Sequence, residues 1–207
     1  MTAPTELPMF PLGSVLFPAM PLPLRVFEPR YVEMLQHVLT EEPAEFGVVL
    51  IERGQEVGGG EQRFGYGTVA RIVELGAGEG FVTVRAEGRE RIEVVEWLED
   101  DPYPRALVRP VDELQWDDDL TPRREQTEDL VRRTLARASE FDDQIWSASV
   151  ELVDDPVAAV WQLAGIAPVG PLDQVALLRS TTMKGLLDAI FTATTEAAEV
   201  LEARGGW

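Results

Sequence analysis

An α+β fold in two parts is expected from this sequence. Residues 1–120 read as a β-rich subdomain carrying one helix, and residues 121–207 as an all-helical subdomain. Three observations point there. Up to residue 120 the chain shows β-branched alternation broken by glycines, whereas beyond it apolar residues recur at helical spacing. The second part also holds two proline-opened helix starts, Thr121-Pro122 and Asp155-Pro156. Finally, 207 residues, 45% hydrophobic and 27% charged, suffice for one large domain or two small ones with a buried core.

The first elements are proline-marked. Leu7-Pro8-Met9-Phe10-Pro11-Leu12, Val15-Leu16-Phe17-Pro18 and Leu22-Pro23-Leu24-Arg25-Val26-Phe27 carry a proline every few residues. Proline lacks the ladder N–H and fixes φ, which forbids a helix and disfavours a central strand, so edge strands and extended segments are expected. A helix begins at Glu28-Pro29, since proline suits the first helical position. Tyr31, Met34, Leu35, Val38 and Leu39 form its apolar face. The run Phe46–Ile51 reads as a buried strand, and Gly54 to Gly60 as a mobile loop.

A meander follows. Strands are expected over Tyr66–Leu75 and Phe81–Ala86 about a turn at Gly76–Gly80. A second turn, Glu87-Gly88-Arg89-Glu90, leads to strands at Arg91–Leu98 and Tyr103–Val111. Such hairpins close a small twisted barrel or sandwich.

In the helical part, Thr121 and Asp155 are expected as N-caps. From Pro156 the residues Val157, Val160, Trp161 and Ala164 line one face until Gly165 stops the helix. A short helix runs from Pro171 to Arg179 around Leu172, Val175 and Ala176. The last helix carries Leu187, Ile190, Phe191, Thr194, Ala198 and Leu201, and ends at Gly205-Gly206, which reads as a true end rather than a truncation.

Composition excludes much chemistry. A net charge of −19 repels phosphate backbones and makes nucleic acid a poor partner. No run approaches the roughly eighteen apolar residues a membrane span needs. The opening Met1-Thr2-Ala3-Pro4-Thr5-Glu6 lacks the basic and apolar regions of a signal peptide. With no cysteine, disulfides, cysteine-bound metals and thiol nucleophiles are all excluded, and a cytoplasmic location is expected. Only one lysine, Lys184, and one histidine, His37, are present. No glycine loop precedes Lys184, so no P-loop exists, and Lys184 is expected to be a solvated charge near a helix start. His37 is expected to be a surface or half-buried helix residue, and no Gly-x-Ser-x-Gly elbow accompanies it. Glu99-Asp100-Asp101, Asp117-Asp118-Asp119 and Asp154-Asp155 lack the ligand spacing of a calcium loop and read as solvated linkers and helix starts. No catalytic residue, metal site or cofactor is therefore expected.

The order of motifs resembles a known family. Leu7-Pro8-Met9-Phe10-Pro11-Leu12, Val15-Leu16-Phe17-Pro18 and Pro21-Leu22-Pro23-Leu24-Arg25-Val26-Phe27-Glu28-Pro29-Arg30-Tyr31 together resemble the opening of the Lon N-terminal domain, in its stand-alone bacterial branch. Gly65-Tyr66-Gly67-Thr68-Val69-Ala70-Arg71-Ile72 and Val84-Arg85-Ala86-Glu87-Gly88-Arg89-Glu90-Arg91-Ile92 resemble two further strands of that family. Leu163-Ala164-Gly165-Ile166-Ala167 and Val175-Ala176-Leu177-Leu178 resemble the segments before its long helix. The resemblance implies a PUA-like β subdomain with a helical subdomain. It also implies a part in recognising protein substrates, without cleavage, since the ATPase and protease modules of a full Lon protease are not in this chain.

The leading expectation is thus a non-catalytic module that binds exposed polypeptide segments, or a separate protein partner, in a groove between the subdomains, with neither nucleic acid nor membrane as partner. Arg25, Phe27, Glu28, Arg30, Tyr31, Trp116 and Trp146 are the candidate binding residues, although strand-to-helix bracing by local ion pairs and caps is the preferred reading of Arg25, Glu28 and Arg30. Trp116 or Leu120 is expected to dock on the helical half. Two alternatives stay open. One is an RNA-binding PUA-like domain using Arg85, Arg89 and Arg91, if these share one face. The other is a small-molecule enzyme using a carboxylate pair.

Overall fold

The computed structural model describes residues 3–51, 63–140 and 146–205. The expected loop at Gly54 to Gly60, and Gly206, lie outside the described residues. The chain divides into two compact units, Met1–Glu113 and Leu114–Trp207.

The first unit is a six-stranded sheet with one helix. Its strands are β1 (Thr5–Leu12), β2 (Pro21–Val26), β3 (Glu45–Ile51), β4 (Arg63–Gly78), β5 (Phe81–Trp97) and β6 (Arg105–Pro110), and its helix is α1 (Pro29–Val38). The spatial order is β2-β5-β4-β3-β1-β6, and β5 also pairs with β6. Five strands therefore close on themselves, and β2 lies outside the ring along the first half of β5. The interior is filled by Met9, Val49, Val69, Ile92, Ala106 and Val108. α1 covers the outside of β1, laying Tyr31 flat on Phe10 with ring centroids 4.1 Å apart. Burial on both faces explains why Phe46–Leu50 is apolar without alternation.

Three expectations for this unit need correction. β1 is not an edge strand: its first half, Thr5–Pro8, pairs with β6 and its second, Met9–Leu12, runs parallel to β3. Each half is thus bonded on one side only, which is how Pro8 and Pro11 are tolerated. Second, no turn exists at Glu87–Glu90, because β5 continues through it as one strand of 17 residues. Gly88 sits where the register with β4 shifts, since Thr68 opposes Arg91 and Ala70 opposes Gly88. The Leu16–Met20 segment docks there, with Ala19 N donating to Gly88 O at 2.8 Å and Gly88 N to Met20 O at 2.9 Å. A Cβ on Gly88 would run into the carbonyl oxygen of Phe17. Glycine here permits a close backbone approach, not a reversal. Third, the hairpin turn is only Glu79-Gly80, with Gly80 at φ 79°, so Gly76 and Gly78 belong to β4.

α1 starts at Pro29 as expected, but Glu28 makes no side-chain cap, and Leu39 falls past the helix end, exposed. Arg91 is buried; burial pulls its pKa down, and its guanidinium donates to the Asp112 carbonyl at 2.6 Å.

The second unit holds α2 (Thr121–Ala138), α3 (Pro156–Ile166), α4 (Pro171–Leu178) and α5 (Met183–Gly205). Asp155 caps α3 as expected, accepting from Ala158 N at 2.8 Å. Thr121, by contrast, is already helical; a short 3₁₀ turn, Asp118–Leu120, precedes it, and Asp117 caps that turn by accepting from Asp119 N. Gly165 does not stop α3, which runs to Ile166. In α4 the buried residues are Val175, Leu177 and Leu178, while Leu172 and Ala176 face solvent. α5 packs chiefly on α2, and its Leu186, Leu187, Ile190 and Thr194 are fully buried. The Lys184 ammonium, 2.6 Å from Asp188, and the Arg123 guanidinium, 2.8 Å away, hold the Asp188 carboxyl below the usual carboxylate range.

Gly88→Ala is expected to lower stability by about 2 kcal/mol through overpacking against the Phe17 carbonyl. Gly65→Ala, at a position with open space around it, should stay within about 0.5 kcal/mol. Urea midpoints at unchanged m-value measure both. Asp188→Asn should cost at most about 1 kcal/mol at neutral pH, because the pair is partly exposed. A depressed folded pKa means the stabilisation exists above the unfolded pKa and vanishes as pH falls through the folded one. The urea midpoints of wild type and Asp188→Asn should therefore converge as the pH is lowered through that range.

Candidate functional site

In the first unit the outer ends of β2, β4 and β5 extend beyond the ring. Opposed residues in this ladder share a face. Leu22, Val26, Val84 and Ala86 turn inward and are buried. The opposite face carries Pro23, Arg25, Glu74, Gly76, Thr83 and Arg85, which line a shallow groove of ≈ 460 Å³ with Leu24 and Val84. Gly76 and Gly78 bring no side chain of their own, and the Thr83 hydroxyl stands where a Cβ on Gly76 would sit. The Phe81 ring lies over Gly78, where any Cβ would collide with it, and the Arg25 guanidinium sits 4.1 Å from the centre of that ring. Glu74 and Arg85 close the far end at 2.8 Å. One residue beyond the Val26–Val82 pair, Phe27 projects into solvent with 69% of its surface exposed. An aromatic ring so placed contributes nothing to the core and is available to a partner.

The candidate residues at the β2–α1 join separate into two groups. Arg25 and Phe27 belong to this surface. Glu28 and Arg30 bond each other at 3.1 Å, and Arg30 lies 4.6 Å over the Tyr31 ring. Tyr31 itself is buried against Phe10. These three brace the strand-to-helix join. Sequence reasoning passed over Phe81, Leu75, Gly76 and Gly78. Two glycines at alternate positions next to a strand pattern were the available signal, since they mark a bare strand face as readily as a turn.

The second unit has a cleft of ≈ 760 Å³ among the end of α2, the α3–α4 connection and the middle of α5. Trp146, Val169, Ala197, Val200 and Leu201 supply apolar lining, with Asp173 and Glu196 at its margin. Trp146 is 40% exposed there. Trp116 is half-buried, and its indole N–H donates to Asp118 at 3.0 Å. Leu120 is half-buried too, whereas Leu114 is buried.

The arginines singled out for RNA do not form a basic face. Arg91 is buried, Arg85 is paired to Glu74, and Arg89 lies 3.8 Å from Glu87. His37 faces Tyr103, with ring centroids 6.3 Å apart, at a pocket of ≈ 430 Å³. Burial raises the Tyr103 pKa. Among the described residues no helix is long and apolar enough to cross a membrane.

Comparison with known proteins places these features in a family. The family model for the ATP-dependent protease La (LON) substrate-binding domain matches residues 6–194. Lon protease 2 of Myxococcus xanthus is 26% identical over 208 residues, covering 96% of this chain and 24% of that protein. Lon protease of Anaeromyxobacter dehalogenans is 29% identical over 157 residues, covering 73% of this chain and 18% of its own. This chain thus spans about a quarter or less of the curated relatives' length. Among solved structures, a Lon N-terminal domain protein from Xanthomonas campestris aligns with TM-score 0.60 at 25% identity, covering 86% of this chain and 92% of that one. The N-terminal domain of Mycobacterium avium complex Lon protease aligns with TM-score 0.64 at 16% identity, covering 93% and 99%.

Phe27→Ser is expected to leave stability within about 0.5 kcal/mol, because the ring is already in water. Phe81→Ala should cost about 1–2 kcal/mol, since it strips the cover from Gly78 and the stacking partner from Arg25. Chemical denaturation of the two variants side by side measures the contrast.

Proposed function

Because this chain belongs to the Lon substrate-binding domain family, we propose that it is a non-catalytic protein-binding module that holds exposed segments of polypeptide clients. The observation that carries this reading is Phe27, exposed one residue past β2, the strand whose Arg25 stacks on Phe81. An extended segment can reach this part of the sheet with an apolar side chain against Phe27. The domain contributes recognition, while the cleavage chemistry of the relatives belongs to the parts of those proteins beyond the matched region. A cytoplasmic setting suits a cysteine-free, strongly acidic chain.

The RNA reading gains no support from Arg85, Arg89 and Arg91, one buried and two beside glutamates. The carboxylate-enzyme reading wants a raised pKa in a pocket, and Asp188 is shifted the opposite way.

Reduced, carboxymethylated lactalbumin, a permanently unfolded polypeptide, is a suitable probe. Phe27→Ser should weaken its binding at least tenfold by fluorescence anisotropy, at unchanged thermal stability. Equal affinity of wild type and variant would remove this surface from the reading. No binding by the wild type, either of this probe or of a cationic extended peptide, would end the reading itself.

A further inference from the structure

The outer segment of β4 is an open edge. Between Arg63 and Arg71, β4 is sandwiched by β3 and β5, but Glu45 opposite Arg71 is the first paired residue of β3. Ala44 O still accepts from Ile72 N at 3.0 Å, and beyond that the pairs of β4 are with β5 alone. Every residue from Val73 to Gly80 is exposed, so no element of the first unit among the described residues covers this edge. In an antiparallel ladder the hydrogen-bonded pairs alternate. Counting from the two-residue turn, Gly78, Gly76 and Glu74 exchange bonds with Phe81, Thr83 and Arg85. Leu75 and Ala77 then direct their N–H and C=O groups outward, away from β5.

The other outer strand differs. β2 carries Pro21 and Pro23, neither with an N–H to offer, which blunts it against strand addition. The β4 segment has no proline, and Val73 and Leu75 on it are 47% and 40% exposed.

From this edge we infer that a client polypeptide binds by adding a strand to Val73–Gly78, as an extended segment with apolar residues at alternate positions and basic residues at its flanks. This rests on the reading that the chain binds polypeptides, and supplies the mode. The outward main-chain groups of Leu75 and Ala77 specify an extended backbone. The exposed Val73 and Leu75 favour apolar side chains beside them, and the net charge of −19 favours a cationic partner over a second copy of this acidic chain.

The probe is a ten-residue peptide of alternating valine and threonine with an arginine at each end, tested beside carboxymethylated lactalbumin. With saturating peptide, amide exchange at Leu75 and Ala77, followed by NMR, should slow at least tenfold, while Gly76 and Gly78 change little. Ala77→Pro removes an outward donor alone and should weaken peptide binding at least tenfold, with folding checked by circular dichroism. Peptide binding without protection at Leu75 and Ala77 would overturn the inference and leave the polypeptide reading standing, whether or not Ala77→Pro folds. Binding of lactalbumin but not of the peptide would overturn it as well. Failure of both probes would overturn the inference together with that reading. Protection of the same amides by self-association in the absence of peptide would assign the edge to a second copy and overturn the proposed occupant.

Discussion

One strand, β5, is bonded to three others, and the first unit depends on how it manages this. Its first half lies between β2 and β4, and its second between β4 and β6. A flat strand of 17 residues could not serve both sets, because the ring must curl while the outer ladder runs on. The register shift around Gly88 resolves the conflict by adding a residue to β5 where its partner changes. The Leu16–Met20 segment fits against Gly88 only because no side chain stands there, and Thr68 fixes it further by donating to Leu16 O at 2.6 Å. The ring closes at one end of β5, and its other end, with β2 and β4, is left to project as a surface.

Much of this fold was legible because periodicity reports burial directly. The α1 face Tyr31, Met34, Leu35, Val38 and the continuous β3 run were read from spacing and found buried. The Asp155-Pro156 start of α3 was equally plain, since a carboxylate cap and a proline act through local chemistry. The misreadings share a different cause. Gly88 has the same signature whether it reverses the chain or admits another backbone, and only the arrival of Phe17 decides which. Pro8 and Pro11 argue against a strand paired on both sides, yet β1 satisfies that rule by halves, with partners far apart in sequence. Leu39 and Leu172 fit the apolar pattern of their helices but sit where nothing packs, which a one-dimensional pattern does not record.

The surface was legible in part. Phe27 and Arg25 were among the candidate binding residues, and the fold leaves both exposed. Tyr31 and Phe27 are aromatics four residues apart, and only Tyr31 shares the helical spacing of the α1 face. What separates them is that Tyr31 lies on the helix face over Phe10, while Phe27 falls between two elements with neither to cover it. Phe81, the partner that orders Arg25, was hidden because its contact depends on the empty positions of Gly76 and Gly78 across the hairpin. An absent side chain leaves a weak trace in a sequence and a strong one in a sheet.

An open edge with exposed valine and leucine is normally a liability, since identical chains can pair through it. Two features of this protein bear on how that is contained. Prolines occupy β2, so the outer ladder can grow at β4 and is hindered at β2. The charge of −19 disfavours the approach of a second copy, most strongly at low salt. Neither device hinders an extended segment of opposite charge. The asymmetry between a proline-blunted strand and a glycine-rich open one therefore directs strand addition to β4 and leaves β2 unextended.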